Sequence, residues 1–300
     1  MQQQFNPKNE NIQIFVGGKL CPRNEAKVSV FDSSVQGGDA VWEGLRVYDG
    51  KIFCFNQHLE RLQASAKTLA FADVPAKEYI KDAIKQTLRA NNMRTDTHIR
   101  LTLTRGEKIT SGMDPRLNQK GPCLIVLAEF KPLVYDNAKG IKLITSHIRR
   151  NSPMHLDSKI HHNNLINNIL AKIEANYCDA DDAIMLDNLG FVAETNACNI
   201  FMVKKSILFT PNADACLPGI TRATVIRLVK ELNIPVVERN ISIAEFYNAD
   251  EVFTTGTMGE LTPVNEIDGR IIENRSASKI REQIYAAFKE LTEKEGEPID

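Results

Sequence analysis

DSKIHHNNLINNILAKIEANYC (residues 157–178), GFVAETNACNIFMV (190–203), LPGITRATVIRLVKEL (217–232) and EVFTTGTMGEL (251–261) belong to one stretch, Lys159 to Thr257, whose reading organises the chain. In the first segment Leu165, Ile166, Ile169, Leu170 and Ile173 recur at helical spacing, with Asn163 or Asn164 placed to cap the helix start. Lys159 therefore lies on the approach to a helix and not within it. The second segment follows DAIML and a DNLG turn and reads as a strand closed by Glu194, then a further strand. In the third, Val225, Ile226, Val229 and Leu232 share a helix face, which puts Gly219, Ile220 and Thr221 at a helix N-terminus. The fourth is strand, turn, strand, with Gly256 and Thr257 in the turn and Met258 after it.

Working outward, IQIFVGGKL (12–20) predicts a strand pair around Gly17-Gly18, and KVSVFDSSV (27–35) alternates as a strand should. AVWEGLRVYDGKIFCF carries a hairpin signal at Asp49-Gly50. Leu59, Leu62, Ala66 and Leu69 put Arg61 on a helix whose stripe faces the core, and KEYIKDAIKQTLRANN is a second amphipathic helix. THIRLTLTRG sends Ile99, Leu101 and Leu103 one way and His98, Arg100, Thr102 and Thr104 the other. A polar strand face needs water or a site. Residues 107–121 lack any apolar period and predict a long loop of the kind that covers binding sites. PCLIVLAEF closes the first half as a buried strand. The Pro/Asn/Gly content of KPLVYDNAKG then suggests a small α/β domain at 1–130, a linker at 131–140 and a larger domain at 141–300. KIREQIYAAFKEL predicts a surface helix, and the terminal EKEGEPID predicts a frayed end.

Three hundred residues, 43% hydrophobic and 25% charged, suit a globular chain of two domains. With 37 basic against 38 acidic residues, no basic field argues for nucleic acid. The six cysteines are scattered without CxxC pairs or histidines at ligand spacing, so they read as reduced and mostly buried, and His161-His162 lacks the partners of a metal site. The expectation is no metal. The first residues are polar, and no run of 18 apolar residues occurs, so the expected location is the cytoplasm, with no membrane partner.

Together the segments supply what a pyridoxal phosphate enzyme needs. A lysine amine can form a Schiff base with the aldehyde and afterwards move a proton, and Lys159 is the candidate. A carboxylate at the ring nitrogen keeps the ring an electron sink, which is the role open to Glu194. Backbone N–H groups at a helix N-terminus hold phosphate, so Gly219, Ile220 and Thr221 fit, with Gly256-Thr257 as a second turn and Arg61 balancing charge. Taken singly, each has a plain alternative: a solvated lysine, an edge-strand carboxylate, ordinary loop geometry, a helix-surface arginine.

ETNACNIF, LFTP and LPGITR, spanning Glu194 to Arg222, resemble the class IV aminotransferase signature. The order Arg61, Lys159, Glu194, Ile220-Thr221, Thr257 is similar to that of branched-chain amino acid aminotransferases and their D-amino acid relatives. VWEGLRVYDGKIF, HLERLQASAKTL and GTMGELTPV extend the likeness over nearly the whole chain. The resemblance implies an α/β (α+β) fold of two domains with pyridoxal 5'-phosphate at their interface, and a homodimer. It also implies Lys159 as Schiff base and acid/base group, Glu194 at the pyridine nitrogen, and Arg61, Ile220, Thr221 and Thr257 on the phosphate.

Where branched-chain enzymes carry pocket tyrosines this chain has Gly37, His98 and Asn164, and a small hydrophobic signature position holds Asn196. Those departures bear on substrate. Trp42 and Met258 are candidate pocket walls or core residues, and His98 and Arg100 lie on the polar strand face. Arg116 stands where D-amino acid enzymes keep a loop arginine, but Asn118 replaces the histidine that accompanies it there. Arg46 reads as structural. The expected reaction moves an amino group between a branched-chain L-amino acid and 2-oxoglutarate. The rivals are D-amino acid transamination, 4-amino-4-deoxychorismate lyase chemistry, and a non-catalytic cofactor-binding protein.

Overall fold

Two sheets, each with its own core, form the computed structural model, which describes residues 4–274 and 279–300. The chain divides into two compact units. The first runs to Pro132 and also takes in Ile160–Asn164 and Thr292–Asp300.

In the first unit, β1 (Gln13–Val16) and β2 (Lys19–Pro22) pair across Gly17 and Gly18, whose φ values of 57° and 98° suit glycine. After the short helix α1 (Ser33–Gly37) come β3 (Ala40–Tyr48) and β4 (Lys51–Ile52), joined at Asp49-Gly50. Helices α2 (Phe55–Thr68) and α3 (Lys77–Ala90) and strands β5 (Thr97–Thr104) and β6 (Cys123–Phe130) follow. Val41, Leu45 and Val47 of β3 and Ile99, Leu101 and Leu103 of β5 share one core with Leu59, Leu62 and Ala66 of α2 and Ile80, Ile84 and Leu88 of α3. Complete burial of a side chain such as Leu62 stabilises by about 1.5–3 kcal/mol, so the α2 stripe is held to the sheet by its own period.

One predicted strand is absent. Residues 26–29 form no regular element, and Ser33–Gly37 is helical because Asp32 caps it, its Oδ1 accepting from Ser34 N at 2.8 Å. The alternation in KVSV is real but unburied, with Val30 at 72% exposure, so it has no core to face.

The second unit comprises Leu133–Lys159 and Leu165–Leu291. In order it contains β7 (Ile141–Thr145), α4 (Ile166–Tyr177), β8 (Asp182–Leu186), β9 (Val192–Thr195), β10 (Asn199–Lys204) and β11 (Ile207–Thr210). Then come α5 (Ile220–Glu231), β12 (Val236–Glu238), α6 (Ile243–Tyr247), β13 (Glu251–Gly256), β14 (Glu260–Ile267) and β15 (Arg270–Ile271), and α7 (Ile280–Lys294) begins here. The sheet order is β12-β11-β10-β13-β14-β7-β8-β9, with β15 on β14. Pairs β7–β8, β7–β14 and β11–β12 are parallel and the rest antiparallel. Ile184, Ile200, Met202, Phe246, Val252 and Val264 lie in its core.

Helix α4 differs from expectation at its start. Neither asparagine caps it: Leu165 holds the N-cap position without a side-chain bond. The amide of Asn164 donates instead to Gly38 O at 3.0 Å, and Asn163 Oδ1 accepts from Arg100 Nη2 at 3.1 Å. The predicted stripe points outward, with Ile166 67% and Ile169 49% exposed, while Ala171 and Ala175 pack inward. In α5 the buried set is Thr221, Arg222, Thr224, Val225, Leu228 and Val229, so Val225 and Val229 of the predicted face are buried while Ile226 and Leu232 fall outside the set.

The C-terminus is ordered, not frayed: β16 (Glu297–Pro298) pairs with β4, and Ile299 is fully buried. All six cysteines are free, but Cys216 alone is buried; Cys178 is exposed and the others are intermediate.

Candidate active site

In the second unit the approach to Lys159 is fixed by polar bonds. Ser158 Oγ donates to Asn151 O at 2.7 Å, Lys159 N donates to Asp157 Oδ1 at 2.9 Å, and the Lys159 side chain is exposed. Eight residues upstream of Ser158, the buried Arg150 donates its Nε to Glu194 Oε1 at 2.6 Å. Glu194, 5% exposed on β9, also accepts from Leu217 N at 3.3 Å, and its Oε2 accepts from Asn199 Nδ2 at 3.1 Å. A guanidinium and two amide donors thus converge on one buried carboxylate.

Asn199 links this carboxylate to the start of α5. Its Nδ2 also donates to Leu217 O at 2.9 Å, and its Oδ1 lies 2.0 Å from where a Cβ on Gly219 would stand. Only glycine fits there. Gly219 is the N-cap of α5, no side chain caps the helix, and the first amide to bond back is Ala223 N, to Gly219 O at 2.9 Å. The preceding amides, those of Ile220 and Thr221 among them, are of the kind an α-helix leaves without internal partners. An anion fits that arrangement.

Strand β13 pairs with β10 so that Thr255 lies opposite Asn199. The Thr255 hydroxyl is buried and has no partner among the described residues. Gly256 follows, where a Cβ would stand 3.1 Å from Cys198 Sγ, and then Thr257, partly exposed. Met258, partly exposed in the same turn, accepts from Val134 N at 3.0 Å through its carbonyl. Burial pushes the Cys216 thiol up to about 12, with Glu194 adding to the effect.

In the first unit Arg61 is turned toward Glu43. Its Nε and Nη2 donate to the two carboxylate oxygens, each at 2.7 Å. His58 Nδ1 lies 2.7 Å from Glu43 Oε2 and His161 Nδ1 3.1 Å from Oε1. Burial pushes the Glu43 carboxyl up, but His161, Arg61 and His58 together hold it well below the usual range. Burial pushes His161 down to about 4 against the pull of Glu43, so its imidazole is neutral at pH 7.

Trp42 packs against the His161 ring, with centroids 4.0 Å apart and planes tilted by 41°, and carries the Arg100 guanidinium 3.4 Å from its ring centre. Burial lowers Arg100 to about 10, opposed by Glu43, so it remains charged. His98, opposite Arg46 in the β3–β5 ladder, is buried against Gly44 and lowered by burial to about 3, with Lys131, Arg46 and Arg100 adding to the shift. The polar strand face is therefore enclosed. Arg46 is buried beside Tyr48.

Arg116 stands apart: it is exposed on the 107–121 loop, in a 3-10 turn, and pairs with Asp114. Among the described residues no group of three potential metal ligands comes together. His161 serves Glu43, and His162 Nδ1 accepts from Asn164 N at 3.1 Å.

Sequence reasoning missed Arg150, Asn199, Thr255 and Glu43. Asn199 had a signal, since it falls inside ETNACNIF, but nothing local distinguished Arg150 or Glu43 from other charged residues.

Such a mixed α and β fold, with a helix N-terminus beside a clamped carboxylate and a lysine ahead of a helix, has a counterpart among known families. Residues 40–267 match the family described as amino-transferase class IV. The chain belongs to the class IV aminotransferase family. Within it, the chain is 60% identical over 98% of its length to branched-chain-amino-acid aminotransferase-like protein 2 of Arabidopsis thaliana, and spans 52% of that longer relative. It is thus about half the length of that protein. It is 42% identical to a putative branched-chain-amino-acid aminotransferase of Methanocaldococcus jannaschii, over 95% of this chain and 98% of the relative. The crystal structure of the T.th. branched-chain amino acid aminotransferase complexed with N-(5'-phosphopyridoxyl)-L-glutamate superposes with a TM-score of 0.86 at 32% identity, covering 94% of each chain. The two-domain α+β architecture is that of the class IV enzymes.

Proposed function

We propose that this chain is a pyridoxal phosphate-dependent aminotransferase that moves an amino group between a branched-chain L-amino acid and 2-oxoglutarate. The observation that carries the reading is the clamp on Glu194. Arg150, Asn199 and Leu217 N hold an anion whose strand neighbours Val192 and Ala193 are apolar, and Asn199 joins it to a helix start that only glycine can occupy. That pairing of a fixed anion with open N-terminal amides suits a group with a cationic ring nitrogen at one end and a phosphate at the other.

When bound, the cofactor takes up the electron pair released at the substrate Cα. Lys159 supplies the amine that anchors it and then carries the proton at Cα. Glu194 balances charge at the ring nitrogen. The amides of Ile220 and Thr221, with Gly219 letting Asn199 approach, hold phosphate together with Gly256, Thr257 and Arg61. The substrate is bounded by Trp42 and Met258, with His98, Arg100, Asn164 and Arg116 shaping specificity. Neutral His98 offers no charge to a substrate carboxylate, whereas charged Arg100, fixed on Trp42 and Asn163, does.

The branched-chain preference is supported by the names of the relatives, and 2-oxoglutarate by the glutamate adduct of the T.th. enzyme. The reading extends to a homodimer in the cytoplasm. The exposed α4 stripe offers a surface for a second copy, and no described helix is long and apolar enough to cross a membrane.

A panel of L- and D-amino acids with 2-oxoglutarate, read as glutamate formed, tests the proposal. Leucine, isoleucine and valine should be turned over fastest. Turnover confined to D-amino acids, or pyruvate release from aminodeoxychorismate with no amine transfer, would move the chain to another reaction of the same family.

A further inference from the structure

Glu43 is fully buried on β3 between Val41 and Leu45, two core residues of the same strand face. A leucine would suit that position for packing alone, since burying a carboxylate is costly in desolvation unless its partners offset it. Glu43 has such partners: both oxygens receive Arg61, and His58 and His161 close on the same two atoms.

An unrestrained arginine loses rotamer entropy when it is ordered on an anion. A guanidinium already held through two parallel bonds has lost it beforehand, and its plane is set. The cage around the pair is itself rigid. His161 N donates to Ser65 Oγ at 3.1 Å, its carbonyl accepts from Trp42 N at 2.9 Å, and its ring lies on Trp42. Trp42 Nε1 donates to His162 O at 3.1 Å, and Asn163 N to Ala40 O at 2.9 Å. His161, His162 and Asn163 are thereby stitched along β3, with His161 also reaching Glu43.

We propose that Glu43 is a positioning residue: it holds the Arg61 guanidinium in the orientation that receives the cofactor phosphate. The inference rests on the proposed function, because it takes Arg61 as a phosphate ligand. Its action is on phosphate and not on the aldehyde, so loss of Glu43 should discriminate between two forms of the cofactor.

The test compares the affinity of the full-length chain for pyridoxal phosphate and for pyridoxal, which lacks the phosphate. In Glu43→Gln the pyridoxal phosphate Kd should rise about tenfold or more while the pyridoxal Kd stays within about twofold. Arg61→Gln should show the same selective loss, and the double variant should bind no more weakly than Arg61→Gln alone. Glu43→Asp keeps the charge but draws it back by one methylene. It should show the same selectivity, and carries the test if Glu43→Gln does not fold. A Glu43 variant with wild-type affinity, an equal loss for both compounds, or additive losses in the double variant overturns the inference alone. A wild-type chain that takes up neither compound overturns the proposed function along with it.

Discussion

Asn199 shows how one side chain can couple two parts of a site. Its Nδ2 holds Glu194 and Leu217 O, while its Oδ1 fills the space a side chain at residue 219 would need. Gly219→Ala would place a methyl 2.0 Å from that oxygen, so the amide must leave Glu194 or the α5 start must shift. Overpacking of this kind costs about 1–3 kcal/mol. We expect a lower unfolding midpoint in urea together with weaker cofactor affinity in the same variant. A stable protein with unchanged affinity would remove Asn199 from the account. The glycine was legible in the sequence as a helix-start residue, but its partner was not: Asn199 lies twenty residues upstream, and a contact made by packing leaves no local pattern.

At the scale of elements, legibility followed burial. Helices α2 and α3 were readable because their apolar period is also their buried face. KVSV misled because alternation identifies a strand only where one face meets a core, and Val28 and Val30 meet none. Two-residue β16 gave no period at all, and its place depends on β4 far away in sequence. Helix α4 was legible as amphipathic, but a sequence period does not say whether its apolar side meets the core or another chain. Ile166, Ile169, Leu170, Ile173 and Tyr177 are all more than 40% exposed on this one helix. The homodimer proposed above would place a second copy over this face. On that proposal the unsubstituted chain sediments as a dimer, and Ile169→Lys with Ile173→Lys should sediment as a monomer with α-helical content retained. An unchanged dimer would place the interface elsewhere.

For the whole molecule, the enclosed polar groups of the first unit make stability depend on pH. His98 and His161 are lowered to about 3 and about 4 in the folded chain, against roughly 6.5 when unfolded. As pH falls below about 6.5 the unfolded chain takes up protons that the native chain does not, so stability declines from there down to about 4 for His161 and about 3 for His98. Glu43, held below the usual carboxylate range, adds a further loss as the pH passes below its unfolded value. Urea unfolding at pH 7, 6 and 5 should show falling stability, with a shallower slope in His161→Gln. An identical slope in that variant would mean that His161 is not kept neutral.

The central claim, that Lys159 works beside a clamped Glu194 in amino transfer, is tested most directly by a single half-reaction. Full-length protein loaded with pyridoxal phosphate is mixed with L-leucine and no keto acid, and the absorbance of the lysine-bound cofactor is followed against Lys159→Ala. The account predicts conversion of the wild-type spectrum to that of the pyridoxamine form, with 4-methyl-2-oxopentanoate released in equal amount. It predicts that Lys159→Ala retains cofactor but slows by on the order of 10²–10⁴-fold, the range for a lost acid/base group. A wild-type spectrum unmoved by leucine, isoleucine and valine, or a Lys159→Ala variant that converts as fast as wild type, would contradict it.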